Sequence, residues 1–260
     1  MLTNARQKLI EKIALRDGEV IISRVAKELD VSIETIRRDI NSMCEQNILE
    51  KVHGGAIPVK ATLSEASYSQ RKSSNSAIKN KIGKAAAKLI KSGQVVAFST
   101  GSTVEAVAAN ITGVHNLTAL TNSLPVGNIL SDLKESDSFD GKTVLFGGDL
   151  HPTEHLTFGA DTCRQVRNYF ADISFVGVAA LSPDGLMSTG TDEGCVSAEM
   201  VKCSNHVVVV AESRKLGKRS IFRFAKLEEI HTLVTDSKFP LSDEMKFALS
   251  ENNIEIIVVE

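Results

Sequence analysis

Residues 30–40 constrain the fold of this chain more than any other stretch, because they predict a capped amphipathic helix. Ser32 precedes the helical pattern, and a serine at this position can accept a hydrogen bond from a free backbone N–H of the first turn. The apolar positions that follow recur three or four residues apart: Ile33, Ile36, Ile40 and Met43. We therefore expect these side chains to be buried and the opposite face of the helix to be exposed.

The exposed face of this predicted helix carries polar and basic side chains: Thr35, Arg37, Arg38 and Asn41. Two adjacent arginines are usually a solvated helix face. Arginine is also the side chain that forks onto guanine in the major groove or pairs with a phosphate. A second helical pattern over residues 23–29 ends one short turn upstream, which is the spacing of a helix-turn-helix. Together the two patterns favour recognition of double-stranded DNA.

The flanking segments predict a winged helix-turn-helix. A first helix is expected over residues 3–16, with Gly18 as its stop. Short strands are expected over residues 20–22 and 48–52, and the second of them leads into a glycine turn. This turn can approach the DNA backbone closely, and an ordinary turn is an equal alternative. The predicted DNA-binding residues are Ser32, Thr35, Arg37, Arg38, Asn41, His53 and Gly54.

The charge distribution limits how such a domain could bind DNA. The chain has 260 residues and a net charge of −2, which argues against nonspecific coating of nucleic acid. Residues 1–60 hold ten Lys and Arg against nine Asp and Glu, a balance of +1, while the remainder holds 20 against 23, a balance of −3. Binding would therefore depend on a few placed cations from each subunit of an oligomer.

Hydropathy and cysteine spacing predict a cytoplasmic protein with free thiols. No apolar run is long enough to span a membrane, and the N-terminus alternates charged and apolar residues, unlike a signal peptide. The cysteines are scattered without any Cys-x-x-Cys pair: Cys44, Cys163, Cys195 and Cys203. This spacing argues against a disulfide framework and against a zinc finger.

Composition divides the chain into three parts. Residues 1–57 hold the winged helix-turn-helix, and residues 58–76 are rich in Ser, Ala and Lys, which predicts a linker. Over residues 77–260, β-branched runs alternate with helical patterns, so an α/β domain with a largely parallel sheet is expected. Its predicted strands are residues 95–98, 117–121, 143–146, 173–178, 207–211, 232–235 and 256–259.

The turns that follow three successive strands of this domain are rich in hydroxyl groups, amides and glycine. They contain residues 99–103, Asn122 with Ser123, and Gly147 with Gly148. Ligands of open α/β sheets bind at the carboxyl ends of the strands. The first turn opens a helix, whose free N–H groups and dipole favour an anion such as phosphate. Each turn alone is ordinary turn chemistry, but together they favour a phosphorylated sugar or polyol.

A few charged residues add to this prediction. Lys215 follows a later strand and can neutralise a phosphate, while Asp192 and Glu193 lie near a helix start, where we expect them to cap the helix. His151 and His155 have the spacing of a helical zinc pair, but the surrounding glycines and proline favour a loop, and no third ligand accompanies them. We therefore predict no metal and no cofactor.

These motifs resemble those of the DeoR family of bacterial sugar-responsive transcriptional repressors, over nearly the full length of the chain. The family signature is similar to Val31-Ser32-x-x-Thr35-Ile36-Arg37-Arg38-Asp39 followed by His53-Gly54-Gly55-Ala56. Later matches are Gly101-Ser102-Thr103, Thr121-Asn122-Ser123, Gly147-Gly148 and Lys215. The resemblance implies a sensor domain that shares its fold with ribose-5-phosphate isomerase, glucosamine-6-phosphate deaminase and the coenzyme A transferases.

The resemblance also implies a set of effector-binding residues. They are Ser99, Gly101, Ser102, Thr103, Thr121, Asn122, Gly147, Gly148 and Lys215. Two positions depart from the family pattern, since Ser99 and Glu212 both stand where Asp is usual. The first departure removes an acid that would bind ligand hydroxyls, which points to an effector different from the best-known family cases.

Three functions remain open. The first is a dimeric or tetrameric repressor of a carbohydrate-utilisation operon, which binds operator DNA and is released by a phosphorylated sugar. The second is a sugar-phosphate isomerase with a DNA-binding domain, but the Asp-Gly-Ala-Asp-Glu and Lys-Gly-Gly-Gly stretches of ribose-5-phosphate isomerase do not occur in the chain, so no enzyme activity is expected. The third is a ligand-dependent activator, because the position of the operator decides the sign of regulation.

Overall fold

The computed structural model of the chain describes residues 3–46, 48–52, 54–58 and 68–260. Contacts divide the chain into two units, with the boundary between residues 66 and 67. Each unit has a hydrophobic core of its own. Within the described ranges, no helix is both long enough and apolar enough to cross a membrane.

The N-terminal unit is a winged helix-turn-helix, as the sequence predicts. Its elements are α1 (Thr3–Asp17), β1 (Val20–Ile21), α2 (Ile22–Glu28), α3 (Ile33–Glu45), β2 (Leu49–Val52) and β3 (Gly55–Pro58). The strands form an antiparallel sheet in the order β1-β3-β2. The sequence predicts two or three short strands and a turn at Gly54 and Gly55, but it gives no range for a third strand, because the Gly and Pro at the two ends of β3 are poor strand formers.

The apolar stripe of α3 is buried except at its first position. Ile36, Ile40 and Met43 are at most 2% exposed and belong to the core of the unit. The sequence predicts Ile33 in the same stripe, but that prediction is wrong, because Ile33 is 47% exposed. Ile33 is the first residue of the helix, and helical side chains point back towards the N-terminus, so this one lies beyond the core.

A buried ion pair joins α1 to α3. Arg6 Nε lies 2.5 Å from Asp39 Oδ2, and Arg6 Nη2 donates to Asp39 Oδ1 at 3.2 Å. The hydrogen bonds to this carboxylate raise the pKa of Arg6. Because both side chains are buried and the contact is bidentate, the pair fixes the position of α3 against α1.

The second unit is an α/β domain. Its helices are α4 (Tyr68–Ser73), α5 (Ser76–Ala87), α6 (Ser102–Ala109), α7 (Leu124–Glu135), α8 (Ala160–Val166), α9 (Thr191–Lys202) and α10 (Asp243–Glu251). Its strands are β4 (Val95–Phe98), β5 (Leu117–Thr121), β6 (Gly141–Leu145), β7 (Asp149–His151), β8 (Leu156–Phe158), β9 (Ala171–Val176), β10 (Ala180–Ser182), β11 (Gly185–Ser188), β12 (Ser204–Val210), β13 (Phe222–Ala225), β14 (Thr232–Asp236) and β15 (Glu255–Val259).

A seven-stranded sheet forms the centre of this domain. Its order is β15-β14-β12-β9-β4-β5-β6, and every pair of neighbours is parallel. These are the seven strands that the sequence predicts, with ends shifted by up to three residues. Apolar side chains of the inner strands are buried in separate clusters on the two faces. The parallel arrangement brings the carboxyl ends of all seven strands to one edge of the sheet.

Helix α4 lies inside the segment 58–76, which the sequence predicts as a linker. Tyr68 and Arg71 of this helix are buried, and the helix belongs to the second unit. The sequence does not predict this helix because it lacks an apolar stripe. Its buried contacts come from the ring of Tyr68 and the aliphatic stem of Arg71. Residues 59–67 of the segment lie outside the described residues. The domain boundaries at 57 and 77 stay a prediction.

Candidate functional site

The two arginines of α3 are the most exposed basic groups of its polar face. The Arg37 side chain is 60% exposed and that of Arg38 is 81% exposed. Glu34 lies 3.8 Å from Arg37 and 4.0 Å from Arg38, which is too far for strong hydrogen bonds. Asn41 is exposed and Thr35 is half-buried. The helix thus presents two cations and an amide that are available to DNA, and the contacts themselves stay a prediction.

Ser32 caps the N-terminus of α3, as the sequence predicts. Its hydroxyl oxygen accepts a hydrogen bond from the Thr35 backbone N–H at 3.1 Å and lies 2.8 Å from Thr35 Oγ1. The cap satisfies one of the free N–H groups of the first helical turn. The hydroxyl groups of Ser32 and Thr35 therefore stabilise the start of the helix, and their contact with DNA stays a prediction.

The two glycines of the wing are required by the fold itself. Gly54 has φ +83°, a conformation that favours glycine. At Gly55, an added Cβ would lie 1.9 Å from the carbonyl oxygen of Val20 on the paired strand β1. His53 lies outside the described residues. The ordinary-turn explanation therefore accounts for Gly54 and Gly55, and a DNA contact at Gly54 stays a prediction.

The turn between β4 and α6 has the geometry of an anion site. Gly101 has φ +113° and lies immediately before the first residue of α6. An added Cβ at Gly101 would meet no atom within 4 Å, so the turn is open at this point. Ser102 and Thr103 form the first turn of α6, where backbone N–H groups are directed out of the helix. An anion at this position would also be favoured by the helix dipole.

Ser99 holds two strand ends together. It is 1% exposed, and its Oγ accepts a hydrogen bond from the backbone N–H of Gly177 at 3.0 Å. Gly177 follows β9, the neighbour of β4 in the sheet. The next residue, Thr100, donates from Oγ1 to Glu193 Oε1 at 2.5 Å. The carboxylate that binds Thr100 of this turn thus comes from α9. The role of Ser99 in effector binding stays a prediction.

The capping prediction for Asp192 and Glu193 is wrong. The N-cap of α9 is Gly190, and no side chain caps the helix. Both acids lie inside the first helical turn, where they interact with the helix dipole but cannot occupy the N-cap position. Glu193 instead accepts the hydrogen bond from Thr100.

Lys215 lies at the same edge of the sheet as this turn. Its Nζ donates to the carbonyl oxygen of Val178 at 2.6 Å. Val178 follows β9, one residue after the Gly177 N–H that Ser99 binds. Lys215 follows β12 and the turn follows β4, and both contact the segment after β9, the strand that lies between them in the sheet. Effector binding by Lys215 stays a prediction.

The motif 121–123 contains one buried acceptor with no donor. Thr121 Oγ1 accepts from the Ser123 N–H at 3.0 Å, and Ser123 Oγ caps α7. Asn122 is 1% exposed, and its Nδ2 donates to the carbonyl oxygen of Thr157 at 2.8 Å. Among the described residues, no donor reaches Asn122 Oδ1. An unpaired buried acceptor is rare, so this oxygen suits a hydroxyl group of a ligand.

Packing explains the second of the two glycines after β6. An added Cβ at Gly148 would lie 2.0 Å from Thr162 Oγ1, so this position must be glycine for α8 to pack. Gly147 donates its N–H to Gln165 Oε1 at 3.1 Å. A hollow of about 620 Å³ lies beside Gly148 and is lined by two acids, Asp149 and Asp161, and by one cation, Arg164. Effector binding by Gly147 and Gly148 stays a prediction.

The sequence does not predict the contacts among a group of charged residues near the β4–α6 turn. Glu212 is buried and accepts from Asn75 Nδ2 at 2.6 Å and from Arg214 Nη2 at 3.1 Å. Lys79 is 4% exposed, with its Nζ 3.9 Å from Glu212 Oε1. Arg71 pairs with Glu154. The sequence does not reveal the contacts of Glu212 with Asn75 and Lys79, because these residues are far apart in the chain and a lysine on a helix is normally solvated. The same distance in the chain hides the pair of Arg71 with Glu154.

The two histidines of the sequence prediction lie at the end of a strand and in the turn that follows it. His155 has φ +54° and follows strand β7, which contains His151. The His155 ring contacts that of Tyr68 edge-on, with ring centroids 5.0 Å apart. Within the described part of the chain, no three His, Cys, Asp or Glu side chains are grouped so that they could hold a metal ion.

Comparison with known proteins places this site in a family. Residues 6–62 match the family model of the DeoR-like helix-turn-helix domain, and residues 74–237 match that of the DeoR C terminal sensor domain. The HTH-type transcriptional repressor GlcR of Bacillus subtilis is 31% identical over 243 residues, which cover 94% of this chain and 91% of GlcR. A glycerol-3-phosphate regulon repressor of Haemophilus influenzae is 30% identical over 236 residues, covering 90% of each chain.

Among solved structures, ribose 5-phosphate isomerase A of Methanocaldococcus jannaschii matches with a TM-score of 0.39 and 19% identity, over 55% of each chain. The family assignment depends on the sequence matches alone. They cover the winged helix-turn-helix and most of the α/β domain. The chain therefore belongs to the DeoR family and is a DNA-binding transcriptional repressor with an N-terminal helix-turn-helix domain and a C-terminal sensor domain.

Proposed function

We propose that this repressor controls a carbohydrate-utilisation operon and is released from its operator by a phosphorylated sugar or polyol. The observation that carries the proposal is the edge of the sheet, which holds both the open β4–α6 turn and Lys215. Helix N-termini and lysine are both suited to phosphate. A phosphate bound in this turn would face the dipole of α6.

The rest of the effector would lie along the neighbouring strand ends. Asn122 Oδ1, at the end of the adjacent strand β5, can accept a hydrogen bond from a ligand hydroxyl. Glu193, which already binds the hydroxyl of Thr100, supplies a carboxylate in a position to bind a second hydroxyl group. The name of the Haemophilus influenzae relative refers to a phosphorylated three-carbon polyol, which is the ligand class that this combination of groups favours.

On the DNA side, we propose that Arg37, Arg38 and Asn41 of α3 enter the major groove and that the turn around Gly54 contacts the backbone. The near-neutral charge of residues 1–60 leaves few cations per subunit. A dimer or tetramer would multiply these contacts and match an operator with two half-sites.

The experiment is a fluorescence-anisotropy titration of the full chain on DNA from upstream of its own gene. Phosphorylated sugars and polyols are added one at a time, each beside its unphosphorylated parent. We expect one phosphorylated compound to release the DNA and its parent to have no effect. A protein that binds this DNA but responds to no member of a broad panel would contradict the proposed effector class.

We also propose that the chain has no isomerase activity. An isomerase needs a carboxylate that is free to move a proton between carbons of the substrate. Glu212 is engaged by Asn75, Lys79 and Arg214, and Glu193 is hydrogen-bonded to Thr100. Incubation with pentose and hexose phosphates, followed by chromatography of the sugars, is expected to show no interconversion, and turnover would overrule this proposal.

A further inference from the structure

The corner between α4 and α5 contains a buried lysine that is held mainly by backbone carbonyl groups. Lys79 Nζ donates to the carbonyl oxygens of Arg71 and of Ser74, the second at 2.7 Å. The carboxylate of Glu212 lies at the longer distance of 3.9 Å and is shared with Asn75. Buried charges are normally compensated by a close opposite charge. The ammonium group of Lys79 therefore has room for a stronger anionic partner.

The carbonyl oxygen of Arg71 receives a second donor from the β4–α6 turn. Ser102 Oγ donates to it at 3.5 Å, so the hydroxyl of Ser102 and the ammonium of Lys79 converge on one oxygen atom. Ser102 is also the first residue of α6. An oxygen with a lysine donor and a serine donor beside a helix N-terminus has the surroundings that a phosphate oxygen prefers. The carbonyl oxygen of Arg71, in the last turn of α4, thus occupies a position that suits a phosphate oxygen.

The surrounding charges support an anion at this position. Burial lowers the pKa of Lys79 to about 8, Glu212 opposes the shift, and the nearby cations Arg214, Lys215 and Arg71 add to it. At neutral pH, Lys79 is therefore still largely charged. A phosphate in the turn would be near four basic side chains and would relieve the repulsion among them.

We propose that Lys79 binds the phosphate of the effector by exchanging the carbonyl oxygens of Arg71 and Ser74 for phosphate oxygens. This inference rests on the proposed function, because it requires the phosphate to enter the β4–α6 turn. The exchange removes hydrogen-bond donors from the C-terminal end of α4 and loosens this helix. Helix α4 is the first described element after residues 59–67, which connect the DNA-binding unit to the sensor unit. Lys79 would thus link phosphate binding to the segment between the two units.

The binding test uses isothermal titration of the full chain with inorganic phosphate and with the panel compound that releases the wild-type protein from DNA. The variant is Lys79→Met, and the matched control is Lys84→Met, at an exposed position of the same helix. We expect Lys79→Met to weaken binding by roughly 10- to 100-fold, as for loss of a hydrogen bond to a charged group, and Lys84→Met to leave it unchanged. Equal affinities of the Lys79→Met and wild-type proteins would overturn the assignment of Lys79.

Amide hydrogen exchange in residues 68–74 tests whether the ligand draws Lys79 away from the carbonyl oxygens of Arg71 and Ser74. In the wild-type protein, we expect the ligand to increase exchange in this segment. In Lys79→Met, exchange should already be fast without ligand and should not respond to it. Unchanged exchange in the wild-type protein with ligand bound would contradict the loosening of α4, whatever the affinity.

Wild-type protein with ¹³C-labelled lysine gives a test without any substitution, in case Lys79→Met does not fold. Titration with inorganic phosphate is expected to shift the Lys79 resonances at the concentrations at which phosphate binds, and an unshifted Lys79 overturns the inference.

The proposed function and the role of Lys79 are contradicted by different results. If no panel compound releases the wild-type protein from DNA, the proposed function fails; if one compound releases the wild-type and Lys79→Met proteins equally well, only the role of Lys79 fails.

Discussion

At the scale of single residues, the hydrogen-bond partner of a side chain decides whether it is available to a ligand. Ser99 is committed to the N–H of Gly177, whereas Asn122 Oδ1 has no donor among the described residues. Among the described residues, the carboxylate of Glu34 lies 3.8 Å from Arg37 and 4.0 Å from Arg38, too far for strong hydrogen bonds. The arginines of α3 and the amide of Asn122 can therefore still gain a hydrogen bond, and we expect substitutions at these positions to change binding.

Arg38→Ala is expected to weaken operator binding by about 1–3 kcal/mol while the protein stays folded, because the side chain is largely exposed and can pair with a base or a phosphate. Anisotropy titrations measure the affinity, and circular dichroism measures the helical content. Lys12→Ala, at an exposed position of α1, is the matched control and should leave affinity unchanged. Loss of helical content in Arg38→Ala would show that the arginine has a structural role.

Lys79 shows what cannot be inferred from a sequence at this scale. Its neighbours in the chain give it the pattern of a solvated helical lysine, and only the fold brings Glu212, Arg214 and Lys215 close to it. The same holds for Gly148, since the glycine is required by Thr162 of a later helix. Ser32, in contrast, is predicted correctly because its cap depends on a residue three positions away.

At the scale of elements, α3 is held by its apolar stripe and by the ion pair between Asp39 and Arg6 of α1. Asp39 lies between Arg38 and Ile40 in the chain and faces the buried side of the helix, whereas Arg38 is exposed. The pair thus orients the surface that is proposed to meet DNA.

Arg6→Met is expected to destabilise the N-terminal unit by about 3–5 kcal/mol, because it leaves Asp39 buried without a partner. Thermal unfolding followed by circular dichroism measures the change. Arg16→Met is the matched control on the same helix; its pair with Asp17 is 2.8 Å long but half-exposed, so its loss should cost about 0–1 kcal/mol. The double variant Arg6→Met with Asp39→Leu should recover most of the lost stability, because it leaves no buried carboxylate without a partner. If no stability is recovered, the ion pair itself stabilises the unit.

Elements are predicted well where burial leaves a local pattern. The seven strands of the central sheet are found because parallel strands buried on both faces are continuous runs of β-branched residues. Strand β3 and helix α4 are missed because glycine and proline bound the first and serine-rich sequence surrounds the second. Both also depend on partners that are distant in the chain, β1 for β3 and Glu154 for Arg71 of α4.

At the scale of the whole molecule, the charge is nearly balanced, so a single subunit has few cations to offer to DNA. Residues 1–60 carry ten basic and nine acidic residues. In the proposed dimer or tetramer, binding two half-sites at once would raise the affinity, because the second contact is intramolecular.

The salt dependence of operator binding measures the number of such contacts. A plot of log affinity against log salt concentration has a slope of about −0.9 for each neutralised phosphate. We expect the slope on a full operator to be about twice that on a single half-site, with Arg38→Ala reducing it if Arg38 pairs with phosphate. Equal slopes on the two DNAs would contradict binding through paired subunits.

The all-parallel sheet has a consequence for the order in which the chain folds. In the N-terminal unit, the strand partners that are farthest apart in the chain are Val20 and Ala56. In the sensor sheet, Val96 of β4 pairs with Ile173 of β9, and β15 is added only from the last residues of the chain. Local contacts form faster than distant ones, and chains emerge from the ribosome N-terminus first. We therefore expect a newly made chain to carry a folded DNA-binding unit before its sensor sheet is complete.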